Sequence, residues 1–216
     1  MLLELNENNG ADKITQSLVL QCMNEFEGHL YGVEMGVAYG GGVQGIGQKW
    51  KDRGTVWGFD TFEGHPIDEM LSRCEDSQRA GGDISTAARC MDGWYKDTNK
   101  YGTERFKYEY IREQLDQQGL SNVHLVKGLV TDQTDVSFIP ALHYVLLDMD
   151  FPQAQWDGYN LVKDKIVSGG YLCLHDMIPR GHINGCWERY QQIMAEGMWE
   201  LVSETPSAYL VVLKKK

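Results

Sequence analysis

Two groups of residues in the sequence have types and spacings suited to chemistry. The first is the run Val33-Glu34-Met35-Gly36-Val37-Ala38-Tyr39-Gly40-Gly41-Gly42, followed 24 residues beyond Gly36 by an acid in Trp57-Gly58-Phe59-Asp60-Thr61-Phe62-Glu63-Gly64-His65-Pro66. Glycines let a chain turn sharply and approach a ligand with no Cβ in the way. An acid closing the next strand can accept hydrogen bonds from both hydroxyls of a ribose. A dinucleotide loop reads Gly-x-Gly-x-x-Gly, with amides converging on a pyrophosphate at a helix N-terminus. This loop reads Glu-x-Gly-x-x-x-Gly, and the nearby Gly45-Ile46-Gly47 lacks a third glycine. Glu34 would repel phosphate, whereas it suits a cofactor that carries an ammonium and a sulfonium, as S-adenosylmethionine does. The plainer alternative is that the glycines only make a turn and Asp60 only caps one.

The second group is acidic. Asp148 and Asp150 close one apolar run and Asp176 closes the next. Neighbouring parallel strands end on the same rim, so Asp148 and Asp176 are expected within a few ångströms of each other. Two such carboxylates repel unless a cation or proton lies between them. A hard ion such as Mg²⁺ takes carboxylate oxygens and keeps positions open for water or hydroxyls. The alternative is that both acids cap loops. His65, His175 and His182 are the base candidates, since imidazole can take a hydroxyl proton near neutral pH. Strand alternation turns His175 to the face opposite Asp176, which makes it a strand-end residue and leaves His182 as the preferred base.

The elements that must position these residues follow from periodicity. Short β-prone runs recur at Tyr31–Val37, Val56–Phe62, Val123–Leu129, Tyr144–Asp150, Tyr171–Asp176, Trp199–Ser203 and Ala208–Leu213. Helical spacing occupies Ile14–Phe26, Val43–Lys51, Glu104–Gln118, Gly158–Val167 and Ile183–Ala195. The alternation predicts an α/β fold, a doubly wound, mostly parallel, seven-stranded Rossmann-like sheet. Glu204-Thr205-Pro206-Ser207 is too short for a crossover helix, so the last two strands form a C-terminal antiparallel hairpin. Residues 65–103 break the rhythm with polar, weakly periodic sequence that still holds Trp94, Tyr95 and Tyr101, and are expected to form a lid within a single domain spanning 1–216.

Composition narrows the partners. With 31 acids against 20 bases, a net charge of −11 repels a phosphate backbone, and Lys214-Lys215-Lys216 is too short for a nucleic-acid footprint. No apolar stretch is long enough to span a membrane, and Met1 to Gly10 lacks a basic start and apolar stretch, so a cytoplasmic protein is expected. The five cysteines include no Cys-x-x-Cys pair; Cys173 reads as core, while Cys74 and Cys90 lie in polar sequence.

With Glu34-x-Gly36, Asp60-Thr61-Phe62-Glu63-Gly64-His65-Pro66, Val126-Lys127-Gly128 ahead of Asp132, Leu147-Asp148-Met149-Asp150, and Gly169-Gly170-Tyr171 followed by His175-Asp176, the chain resembles the class I S-adenosylmethionine-dependent methyltransferases. Within them it is most similar to the macrocin O-methyltransferase family, over about Tyr31 to Ala195. The resemblance implies transfer of a methyl group to a hydroxyl of a small molecule, such as a sugar or polyhydroxylated natural product, with Mg²⁺ assistance in many members. It assigns Glu34, Gly36 and the turn Tyr39, Gly40 and Gly41 to the methionine part of the cofactor, Asp60 to the ribose, Phe62 to a neighbouring face, and Gly128 and Leu129 to the adenine, with Val37 and Thr61 also among the cofactor-binding residues. Asp148 would serve cofactor, metal and catalysis, Asp176 the metal, and His182 the acceptor proton. The family's third metal ligand follows the fifth-strand acid, where this chain has Met177, leaving metal use open with Asp157 or a water as substitutes. A nicotinamide-dependent oxidoreductase and a non-catalytic cofactor binder are the alternatives. The oligomeric state is left open, a homodimer included.

Overall fold

Successive side chains of a strand point to opposite faces of its sheet, and here both faces are apolar. Tyr144 and Leu146 join one core while Val145 and Leu147 join the other; Tyr171 and Cys173 alternate in the same way with Leu172 and Leu174. A sheet of this kind must be covered on both sides. The computed structural model describes residues 11–63, 105, 107–177, 186–205 and 209–216. The strands are β1 (Leu30–Met35), β2 (Gly54–Asp60), β3 (Val123–Lys127), β4 (Leu142–Leu147), β5 (Ile166–Leu174), β6 (Trp199–Thr205) and β7 (Leu210–Lys215). The described helices are α1 (Ala11–Glu25), α2 (Gly41–Lys49), α3 (Tyr108–Gln117), α4 (Pro152–Val162) and α5 (Cys186–Ala195).

The sheet order is β3-β2-β1-β4-β5-β7-β6, parallel from β3 to β5, with β7 antiparallel to both β5 and β6. The expected seven-stranded sheet and its terminal hairpin are therefore present. Ile14, Leu18 and Cys22 of α1, Val43 and Ile46 of α2, and Ile111 and Leu115 of α3 cover one face. Ala154, Tyr159 and Val162 of α4 and Cys186, Tyr190 and Ile193 of α5 cover the other. Because the order reverses between β1 and β4, the carboxyl ends of these two strands open a crevice, the usual ligand position in such sheets. Among the described residues no helix is long and apolar enough to cross a membrane.

Two elements differ from the sequence reading. Helical spacing suggests a helix over Gly158–Val167, but α4 begins six residues earlier, with Pro152 in its first turn, and ends at Val162. Proline fits that turn because its missing N–H would have no intrahelical acceptor there. Ile166 and Val167 instead begin β5, whose pairing with β4 carries an irregularity between Leu142 and Tyr144. Helices would ordinarily return the chain between parallel strands, yet residues 128–141 pass from β3 to β4 without one. Val130, Val136 and Ile139 cover the sheet in its place. The expected lid, 65–103, lies outside the described residues, as do His65, His182, Cys74 and Cys90. Cys22, Cys173 and Cys186 are buried, and burial pushes all three thiols up, Cys173 to about 12, which suits core residues.

The C-terminal end of α1 is clamped to the sheet by charge. Glu25 Oε2 accepts from the Tyr171 hydroxyl at 2.7 Å and from Lys214 Nζ at 3.0 Å, while Gln21 donates to Oε1 at 2.8 Å. Burial alone would raise this carboxyl, but the three donors outweigh it and the Glu25 pKa is lowered. A depressed folded pKa contributes stability above the unfolded value, lost as pH falls through the folded one. Below about pH 4.5 the melting temperature of the wild type should therefore fall more steeply than that of Glu25→Gln; parallel curves would exclude this clamp as a source of acid sensitivity.

Candidate functional site

The residues that end the parallel strands are held in line by the ladder itself. Gly36 N–H donates to Phe59 O at 2.9 Å, Asp148 N–H to Met35 O at 2.8 Å, His175 N–H to Leu147 O at 3.0 Å and Gly128 N–H to Asp60 O at 2.9 Å. Each extends a ladder one residue past its strand, so four chemically chosen positions share one rim. Beyond them the chain turns hard. Of five non-glycine residues with positive φ among those described, Ala38, Phe62, Asp150 and Asp176 follow the ends of β1, β2, β4 and β5, with φ of 46°, 55°, 61° and 63°. Such conformations are uncommon outside glycine and concentrate where function fixes the backbone.

The glycine turn divides into packed and open positions. Gly36 has φ 90°, and a Cβ there would overlap the carbonyl oxygen of Asp148. Gly40 is the N-cap of α2 with φ 81°. A Cβ on Gly42 would overlap the carboxylate of Glu34, which is 4% exposed and lies at the N-terminal end of α2, where a negative charge is favoured by the helix dipole. Gly41 and Gly128 differ: nothing lies within 4 Å of a Cβ at either. Their open faces fit a bound molecule approaching the backbone. Val37 is buried and Tyr39 is 39% exposed.

The Asp60 carboxylate ties two loops together. Its Oδ2 accepts from Val37 N–H at 2.8 Å and Ala38 N–H at 3.0 Å; its Oδ1 accepts from Phe62 N–H at 2.8 Å and from the Thr61 hydroxyl at 3.4 Å. The acid thus also shapes the turn after β1, a role its spacing does not reveal. Thr61 and Leu129 are half-buried, whereas Phe62 is buried in the core beside Tyr108, ring centroids 5.4 Å apart.

Asp148 and Asp176 meet, and His175 meets them. Among the described residues, one oxygen from each acid and one ring nitrogen lie within 4.8 Å of one another. His175 Nδ1 is 2.8 Å from Asp148 Oδ1 and 3.3 Å from Asp176 Oδ1. Strand alternation places His175 opposite Asp176, and the structure corrects this. β5 ends at Leu174, and the left-handed Asp176 swings its carboxylate back beside the imidazole. The adjacent His-Asp pair just past a strand was the signal available for it. Met177, expected at a ligand position, is 2% exposed in the core and its N–H donates to Tyr209 O at 2.9 Å. Asp157 lies in α4 and accepts from Gln153 Nε2 at 2.6 Å.

The electrostatics favour positive charge between the acids. Burial would lower the His175 pKa, but the carboxylates of Asp148 and Asp176 overcome it and the imidazole is pushed up to about 11. Although Nδ1 is close to both acids, it is buried without an aligned hydrogen bond, and so is Asp176 Oδ2. These two orphaned atoms and the Asp148 carboxylate fit a divalent cation.

No family model and no curated protein sequence matches the chain. Solved structures do. The O-methyltransferase NovP superposes with a TM-score of 0.67 at 22% identity, over 95% of this chain and 79% of its own. CalS11, a calicheamicin methyltransferase, gives 0.61 at 16% identity, over 94% and 78%. An rRNA methylase from Streptococcus thermophilus gives 0.53 at 11% identity, over 94% of each chain. What they share with this chain is its α/β fold.

Proposed function

We propose that this chain is an S-adenosylmethionine-dependent methyltransferase that methylates a hydroxyl of a small molecule such as a sugar or polyhydroxylated natural product. The observation that carries the reading is the rim itself, where an open glycine turn, a buried glutamate, the β2 acid and two further carboxylates converge at the strand ends. Open-faced Gly41 and Gly128 favour a ligand lying against the backbone between β1 and β3. Bound S-adenosylmethionine supplies an electrophilic methyl group on a positively charged sulfur. Glu34 provides negative potential under the turn for the ammonium, with Gly36, Val37, Tyr39 and Gly40 shaping the methionine end. Asp60 and Thr61 face the ribose, and Gly128 and Leu129 flank the adenine. Holding acceptor oxygen, methyl carbon and sulfur in line supplies much of the rate.

The acceptor's proton passes to a base, for which Asp148 of the rim and His182, outside the described residues, are the candidates. Asp148 and Asp176 would hold a divalent cation, which supplies acidity and orientation to the acceptor hydroxyl. The acidic balance favours a small molecule over nucleic acid, and the rRNA methylase counterpart makes RNA the comparison to run. Methyl-labelled S-adenosylmethionine should pass label to one or more members of a panel of sugars and polyhydroxylated compounds and none to structured RNA. Transfer to RNA alone, or to nothing with and without divalent metal, would overturn the acceptor assignment.

A further inference from the structure

We infer that His175 is the third protein ligand of the cation held by Asp148 and Asp176, and that its nitrogen turns the centre away from Mg²⁺ toward first-row transition ions such as Mn²⁺ and Co²⁺. The inference rests on the reading above that the two carboxylates hold a cation, and it concerns which cation they hold and through what third atom.

Geometry comes first. Ligand atoms about 2.1 Å from a common ion and at right angles to each other lie roughly 3 Å apart. The 2.8 Å and 3.3 Å separations from Nδ1 to the two Oδ1 atoms match such edges. A directed hydrogen bond would give similar distances, but neither approach is aligned for one. A shared ion would give His175 Nδ1 the partner it lacks while neutralising the two carboxylates beside it.

The surroundings already fix the ligands. The buried side chain of Gln155 donates to the His175 carbonyl at 2.7 Å, and the His175 N–H is held by Leu147 O. Asp148 is held through its own N–H, and the backbone beyond Asp176 is held through Met177. Such outer contacts set ligand orientation and hence affinity. The Met177 thioether points into the core, so the donor set is one imidazole and two carboxylates. Mg²⁺ is hard and takes oxygen, whereas imidazole suits the first-row transition ions, with manganese tolerating both donor types.

The test uses the full chain freed of metal, without S-adenosylmethionine. Co²⁺ is followed by its visible absorption and Mn²⁺ by its electron paramagnetic resonance signal. One equivalent of each should bind saturably, and Mg²⁺ should displace them only at about 100-fold or greater excess. His175→Asp, which makes the donor set all oxygen, should shift the Mg²⁺-to-Co²⁺ affinity ratio toward Mg²⁺ by about tenfold or more. Circular dichroism on the variant checks that it folds. Failure of Co²⁺ and Mn²⁺ to saturate, displacement by equimolar Mg²⁺, or an unchanged ratio in folded His175→Asp would overturn the inference. S-adenosylhomocysteine binding on the same samples separates the two readings: its persistence without metal binding removes only this inference, and its absence beside intact metal binding removes only the proposed function.

Discussion

Gly36→Ala is expected to destabilise the chain by about 3 kcal/mol or more, enough to unfold a protein of ordinary stability or bring it close. The added Cβ would overlap the carbonyl oxygen of Asp148, which is backbone and cannot rotate away. Both sides are anchored, Gly36 N–H on Phe59 O and Asp148 N–H on Met35 O. Positive φ adds conformational strain to the overlap. Chemical denaturation should show a large drop in midpoint or no soluble protein at all. Gly41→Ala is the informative companion: its Cβ meets open space, so stability should change little while cofactor affinity falls. A Gly36→Ala protein with wild-type midpoint would mean that β1 and β4 do not meet as described.

Asp60→Ala should have the second largest effect, on two properties together. Removing the carboxylate strips acceptors from Val37, Ala38 and Phe62 N–H, and charge-assisted bonds contribute about 1.5–3 kcal/mol each before solvent replaces part of the loss. Net destabilisation of about 2–4 kcal/mol is expected, measured by denaturant unfolding. Cofactor affinity should fall by about 100-fold, because the same acid would bind the ribose and hold the turn that binds the methionine end. Asp60→Asn keeps an acceptor but sets an amide donor against main-chain N–H groups, so it should lie between the two in stability. Unchanged cofactor affinity in folded Asp60→Ala would remove Asp60 from the site.

How far the sequence discloses this site depends on what each signal encodes. The strands stand out because Val, Ile, Leu and aromatic residues cluster between turn residues, and the hairpin because four residues cannot form a crossover. Glycine spacing and the Asp60 interval identify the rim because they are local features repeated in order along the chain. Helical periodicity misplaces α4, since Tyr159, Val162 and Ile166 keep apolar spacing across a real break between helix and strand. The Pro152 start signal was the better guide. His175 escapes strand alternation because that rule stops where the strand stops, one residue before it. The second role of Asp60 has no sequence signature, since its acceptors' partners are main-chain amides. Neither does the choice between packed Gly36 and open Gly41, which only three-dimensional neighbours decide.

The central claim is that the rim binds S-adenosylmethionine, and equilibrium binding tests it most directly. Calorimetric titration of the full chain with S-adenosylhomocysteine, and separately with NADH, should give one saturable site of micromolar affinity for the first and none for the second. Saturable NADH binding with no S-adenosylhomocysteine binding would contradict the claim and favour an oxidoreductase.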